Sequence, residues 1–179
     1  MNPCEVYFII DNRYAKELIK KLMSIIRNEL ANVGIAYISR PVNVCSNKMG
    51  RFIEEGLNES HCVIIIADTE GVEPDEVRER IINEHVKDLR INDPNRVKII
   101  LAHPCLEVWL AELLNLNVRG ATNCRDVIDV IKSRIKGYNS HLLPDLIERH
   151  LRDGLGAGDV PSFLSEFIDA VKSCCGLTY

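Results

Sequence analysis

Apolar and polar positions along the chain follow two alternating rhythms. Cys4 to Ile10 is a short apolar run with β-branched and aromatic residues, which predicts a strand. From Arg13 to about Val33, apolar residues recur at helical spacing (Leu18, Leu22, Ile25, Ile26, Leu30), and Gly34 is expected to end that helix. Ile35 to Ser39 predicts a second strand, closed by Pro41. Asn47 is the expected cap of a helix from Lys48 to Asn58. His61 to Ala67 (HCVIIIA) is apolar nearly throughout, as a strand covered on both faces should be. A helix follows from Pro74, which suits a first helical position, to about Leu89. Asn92 to Asn95 is a turn, Val97 to Ala102 a strand, and Pro104 is expected to open the helix CLEVWLAELL. Helices are then expected over 123–136, 144–152 and 161–173, with LRDGLGAGDVP as a flexible break between the last two.

Strands alternating with helices imply a parallel sheet with right-handed crossovers. At 179 residues the chain fits one domain, with residues 1–115 as an α/β core and 116–179 as a helical extension of it. The 46% hydrophobic and 27% charged fractions are those of an ordinary globular protein, so neither disorder nor a membrane class is indicated. No apolar run approaches ~18 residues, so no membrane partner is expected. The start MNPCEVYFIID lacks a basic n-region and a small-residue cleavage site, which makes the cytoplasm the expected location.

The formal net charge of -4 argues against strong nonspecific DNA binding, yet bound divalent cations would offset clustered carboxylates. None of the seven cysteines forms a C-x-x-C pair, which speaks against a zinc site. Buried, reduced thiols are the expectation for Cys4 and Cys62. No G-x-G-x-x-G follows the first strand, so dinucleotide binding is disfavoured.

In open α/β sheets, ligands bind outside the carboxyl ends of the strands. Asp11, Asn12 and Arg13 follow the first strand; Asn47, Lys48 and Arg51 follow the second. Asp68, Thr69, Glu70 and Gly71 follow HCVIIIA, and His103, Pro104 and Glu107 follow VKIILA. Four carboxylates from three strands are thus directed at one edge. Asp68 and Glu70 are two apart, so in extended geometry both face one way. Carboxylates suit hard cations such as Mg²⁺ or Mn²⁺. Glu107 falls at the margin of its helix's apolar face, whereas Glu112 falls on the solvated side. A plainer reading applies to each residue alone. Asp68 suits a turn, Glu70 and Glu107 suit helix N-termini, His103 a cap, Trp109 the core, and Lys48 and Arg51 the surface. Convergence across three strands is what raises the set above those readings.

HCVIIIADTEG followed by VKIILAHPCLEVWL resembles Toprim-like proteins of the RloB and DUF4276 type. In that family an apolar strand ends in D-x-D, and a later strand runs into a P-C-x-E-x-W-L helix. Asp68 and Glu70 match the first element; Pro104, Cys105, Glu107, Trp109 and Leu110 match the second. NKMGR, from Asn47 to Arg51, resembles the family's basic, glycine-containing segment. Asp11 and Asn12 stand where the family has Glu-Gly, and Glu70 stands where it has a second Asp. The similarity covers about the first 115 residues.

The resemblance implies a Toprim-like (Rossmann-like) parallel-rich sheet with helices on both faces. It implies a Mg²⁺- or Mn²⁺-dependent phosphoryl-transfer protein, a nuclease acting on nucleic acid. Asp68 and Glu70 would hold the metal, with Glu107 and Asp11 as catalytic groups and Asp11 moving the proton. Arg13, Lys48 and Arg51 would contact phosphate. The alternative is a catalytically degenerate module that binds a partner ATPase in a defence-type system. A third reading, a receiver-type phosphoacceptor domain, rests on Asp11 and Asp68, but His103-Pro104 stands where such domains carry Ser or Thr.

Overall fold

The computed structural model describes residues 3–28, 30–89, 93–154 and 160–177. Four strands, β1 (Cys4–Ile10), β2 (Val33–Ile38), β3 (Cys62–Asp68) and β4 (Val97–Ala102), form one all-parallel sheet in the order β2-β1-β3-β4. The described residues also form seven α-helices: α1 (Ala15–Ile25), α2 (Lys48–Glu59), α3 (Pro74–Ile81), α4 (Glu107–Leu113), α5 (Cys124–Arg134), α6 (Leu143–Gly154) and α7 (Ser162–Cys174). This is an α/β architecture of the Rossmann-like class.

Both faces of the sheet are covered, which is why Val6 to Ile10 of β1 and Cys62 to Ala67 of β3 are apolar and buried without interruption. Side chains alternate along each strand. Val6, Phe8, Ile10, Ile64 and Ile66 face a layer built by α1 and α4 through α7. Tyr7, Ile9, Val63 and Ile65 face α2 and α3. A Cβ on Gly56 of α2 would stand 2.7 Å from Val63 and 2.8 Å from the Tyr7 ring, so only glycine lets α2 approach this closely. The last helix docks through rings, with Phe167 stacked on Phe8 at 6.0 Å and Phe163 on Trp109 at 4.9 Å. Its N-terminus is capped from outside: Ser162 donates through its backbone N–H (2.6 Å) and hydroxyl (2.9 Å) to Glu112, a residue expected to be merely solvated. Lys21 of α1 ion-pairs with Asp145 (3.0 Å) and Glu148 of α6.

Several local details of these elements differ from expectation, two of them at element boundaries. The first helix ends near residue 28, and Gly34 lies inside β2, because Val33 to Ile38 gain ladder partners from Cys4 to Phe8. Asn47 makes no capping bond; Ser46 serves instead, accepting from the Lys48 N–H on its hydroxyl (3.2 Å) and from the Met49 N–H on its carbonyl (2.9 Å). The helix from Pro74 continues past Ile81 as a π-helical turn, Ile82–Val86, which turns His85 inward so that Nε2 donates to the Val44 carbonyl at 2.6 Å. The helix expected from Pro104 starts only at Glu107, because the backbone of residues 104–106 is used elsewhere. Pro104 accepts from the Glu70 N–H at 2.9 Å, and Leu106 donates to Asp68 at 2.9 Å. His103 caps no helix; its Nδ1 lies 2.7 Å from the Thr69 hydroxyl. Residues 155–159 of the expected flexible break, and Asn92 of the expected turn, lie outside the described residues.

The cysteines differ most. Cys4–Cys175, Cys62–Cys174 and Cys105–Cys124 are disulfides, leaving Cys45 as the free thiol, exposed. Two of the bridges tie the end of α7 to the amino ends of the neighbouring strands β1 and β3. No helix among the described residues is long and apolar enough to cross a membrane.

Candidate functional site

In the order β2-β1-β3-β4 the chain leaves β1 in one direction to β2 and in the other to β3, so the topological switch lies between β1 and β3. Asp11 and Asp68 stand at the carboxyl ends of those two strands. The register pairs Ile10 with Ile66, and the Asp11 N–H donates to the Ile66 carbonyl at 3.4 Å. Next to it, the Asp68 N–H donates to Oδ2 of Asp11 at 2.8 Å. The Asp68 carboxylate is held on both sides, by the Leu106 N–H (2.9 Å) on Oδ1 and by the Asn12 amide (3.2 Å) on Oδ2. Asn12 is oriented in turn by the Tyr14 N–H, which donates to its Oδ1 at 2.9 Å.

These groups open onto a cavity of about 430 Å³ lined by Asp11, Asn12, Arg13, Tyr14, Pro41, Asn43, Asp68 and Glu70. A larger cavity, about 620 Å³, runs along the outer side of β4 between α3 and α7, away from the strand ends. The smaller one carries the convergent polar groups.

Charge in this cavity is poorly compensated. Burial above all, then the neighbouring Asp68 charge, pushes the Asp11 carboxyl up to about 8 from an ordinary 3.8, against the opposing hydrogen bond from Asp68. Burial also raises Asp68, to about 6; the Asn12 hydrogen bond opposes it, and the charges of Glu107 and Glu70 add to it. Oδ1 of Asp11 is buried with no hydrogen-bond partner. The ion pairs among the described residues engage other acids. A hard cation fits this donor set: it would give the orphaned oxygen a partner and offset the paired charges.

Glu70 and Gly71 are fixed by local backbone. Glu70 has φ 52, a left-handed conformation that side chains rarely adopt, and Gly71 has φ 88. A Cβ on Gly71 would lie 2.2 Å from the Thr122 carbonyl, so the loop before α5 packs directly on the turn that presents Glu70.

The structure thus brings together Asp11, Arg13, Asp68 and Glu70. Arg13 donates to the Tyr14 hydroxyl at 2.7 Å and lies over that ring. Lys48 and Arg51 are exposed on α2 and do not line the cavity. Glu107 is 2% exposed and lies behind Asp68, outside the cavity, with Oε1 accepting from the Ser140 hydroxyl at 2.6 Å. Tyr14, Pro41 and Asn43 were not expected in the site. Tyr14 falls where the first helix was read, and the other two belong to the loop after β2, where distance from a strand end was the only available signal.

No protein-family model, no curated protein and no solved structure matches this chain.

Proposed function

We propose that the cavity between β1 and β3 binds Mg²⁺ or Mn²⁺ and that the protein is a Toprim-like phosphoryl-transfer protein, a nuclease acting on nucleic acid. The carrying observation is the Asp11–Asp68 pair, hydrogen-bonded across the switch point with one oxygen buried and unpartnered. In this reading Asp68 and Glu70 hold the cation, and the unpartnered Oδ1 of Asp11 faces it or, when it is not bound, a proton. The cation supplies polarisation of a phosphodiester and stabilisation of the leaving oxygen. Asp11, held near neutrality in its proton affinity, is suited to accept or give a proton at Oδ1. Arg13 at the rim offers a guanidinium to a phosphate. Glu107 supports the site from behind, its charge acting on Asp68. Cytoplasmic location belongs to the same proposal, although the three disulfides are of a kind that oxidising compartments preserve.

A second reading is a metal-binding module without turnover, docked to a partner ATPase. The placement of Lys48 and Arg51 outside the cavity favours it, because Arg13 is then the one cation among the described lining residues.

Calorimetric titration of Mn²⁺ and Mg²⁺ into wild type and into Asp68→Ala/Glu70→Ala tests the site. Saturable binding lost in the double variant supports it; absence of binding to wild type sinks it. Cleavage assays on single- and double-stranded DNA and RNA then separate the two readings.

A further inference from the structure

Behind the cavity, three ligand-type side chains meet that no local sequence spacing announces. The Sγ atoms of Cys105 and Cys124 and a carboxylate oxygen of Glu107 all lie within 4.8 Å of one another. Cys105 sits in the loop before α4, Glu107 opens α4, and Cys124 opens α5. In the oxidised chain the two sulfurs are bonded to each other. We propose that reduction of Cys105–Cys124 converts this cluster into a three-ligand site for a zinc-class cation, so that the same two sulfurs serve either as a cross-link or as metal ligands.

Three observations carry this. First, Glu107 is buried to 2% exposure, yet among the described residues the one hydrogen bond to its carboxylate from a group carrying a proton is that of Ser140. The Cys124 sulfur lies 3.4 Å from Oε2, but a disulfide sulfur has no proton to donate. A buried carboxylate without a cation is costly, and a metal would remove that cost. Second, zinc–sulfur and zinc–oxygen bonds of about 2.3 and 2.1 Å at a tetrahedral angle separate the two ligand atoms by about 3.6 Å. The observed sulfur–oxygen distance already matches that edge. Third, Cys124 is the first residue of an eleven-residue helix, whose N-terminus favours a thiolate. Ser140 would orient Glu107 from outside the ligand set, as second-layer partners of metal sites do.

The chemistry balances with a dithiol reductant. One of its thiolates attacks a sulfur of Cys105–Cys124, breaking that bond and forming a mixed disulfide. Its second thiol displaces the protein sulfur, so the reductant leaves as a disulfide and two electrons and two protons end on Cys105 and Cys124. Metal binding then releases both thiol protons. The fourth position is open to water. Because Leu106, between Cys105 and Glu107, donates to Asp68, the exchange acts one residue away from the candidate cavity.

The test uses the full chain, reduced with a dithiol and titrated with Co²⁺. The expected result is one Co²⁺ per chain with a near-ultraviolet thiolate-to-metal band and tetrahedral d–d bands, displaced by Zn²⁺. The band should be absent in the oxidised chain and in Cys124→Ser, and retained in Asp68→Asn. Glu107→Gln should weaken binding by about tenfold or more. A folded, reduced chain without a thiolate band overturns the proposal. So does a band unchanged in Cys124→Ser, which would assign it to Cys4, Cys45, Cys62, Cys174 or Cys175. Loss of helical circular dichroism on reduction, with no cobalt bound, overturns it as well.

Discussion

The backbone N–H of Asp68 donates to Oδ2 of Asp11 at 2.8 Å, locking two carboxylates side by side at the ends of β1 and β3. Burial disfavours both charges, their mutual repulsion adds to it, and the hydrogen bonds from neutral amides offset only part of the cost. Both acids therefore retain protons well above the usual carboxylate range.

That retention sets a pH dependence of stability. A carboxyl whose folded pKa exceeds its unfolded value keeps its proton longer in the folded state. The folded protein then binds more protons, and stability falls as pH rises through the window. For Asp11 the window runs from 3.8 to about 8, and for Asp68 from 3.8 to about 6. Metal-free protein should lose stability between these limits and level off above them. Asp11→Asn, which removes the charge and keeps the shape, should stabilise the metal-free chain at pH 8.5 by on the order of 1–3 kcal/mol. Urea denaturation of both proteins at several pH values checks this; equal slopes for the two would contradict it.

The same protons must leave when a cation binds. Mn²⁺ affinity should rise between pH 6 and 8, by up to about tenfold per unit where one proton is displaced, and flatten above the Asp11 value of about 8. Calorimetry in two buffers of different ionisation enthalpy counts the protons released. Release near zero at pH 7 would mean that Asp11 is outside the ligand set or already ionised.

Much of this arrangement is legible in the chain because parallel strands buried on both faces are continuous apolar runs. Cys4–Ile10 and Val97–Ala102 were readable to the residue, and the acids that follow them are placed by topology alone. The edge strand β2 is less apolar and follows a helical pattern that runs into it through Leu30, so its start was misread. Arg51 and Lys48 follow a strand end in sequence, but their exposed positions on α2 leave them out of the cavity lining. The disulfides were illegible: partners 171 and 112 residues apart are brought together only by the docking of α7. Cys105 and Cys124 lie in different elements, so the C-x-x-C test could not detect them.

The turn presenting Glu70 should be sensitive to one methyl group. Gly71→Ala forces an L residue into φ 88 and drives its Cβ to 2.2 Å from the Thr122 carbonyl, a backbone atom that cannot rotate away. The left-handed conformation alone costs about 1–2 kcal/mol, and displacing the loop before α5 adds to it. A melting temperature lower by roughly 5–12 °C follows for a chain of this size. Mn²⁺ affinity should fall with it, because Glu70 moves with the turn. A variant that melts like wild type would show that Thr122 does not pack on the turn.

The two bridges at the end of α7 make the last prediction. Chain-entropy stabilisation depends on the loop that a bridge closes in the unfolded state. Cys4–Cys175 spans 171 residues, but with Cys62–Cys174 intact the shortest path already runs from Cys4 to Cys62 and across the second bridge. That path is still a loop of about 60 residues, for which the entropic model gives about 4 kcal/mol. The bridges are therefore not redundant, although adjacent in sequence at Cys174 and Cys175. Cys4→Ser/Cys175→Ser should cost about 2–4 kcal/mol even though Cys62–Cys174 survives. Thiol titration of unreduced, denatured wild type should find one thiol per chain, Cys45, of the seven cysteines. Seven titratable thiols would mean that the chain folds reduced, and that the hold of α7 on the sheet comes from Phe163 and Phe167 without covalent help.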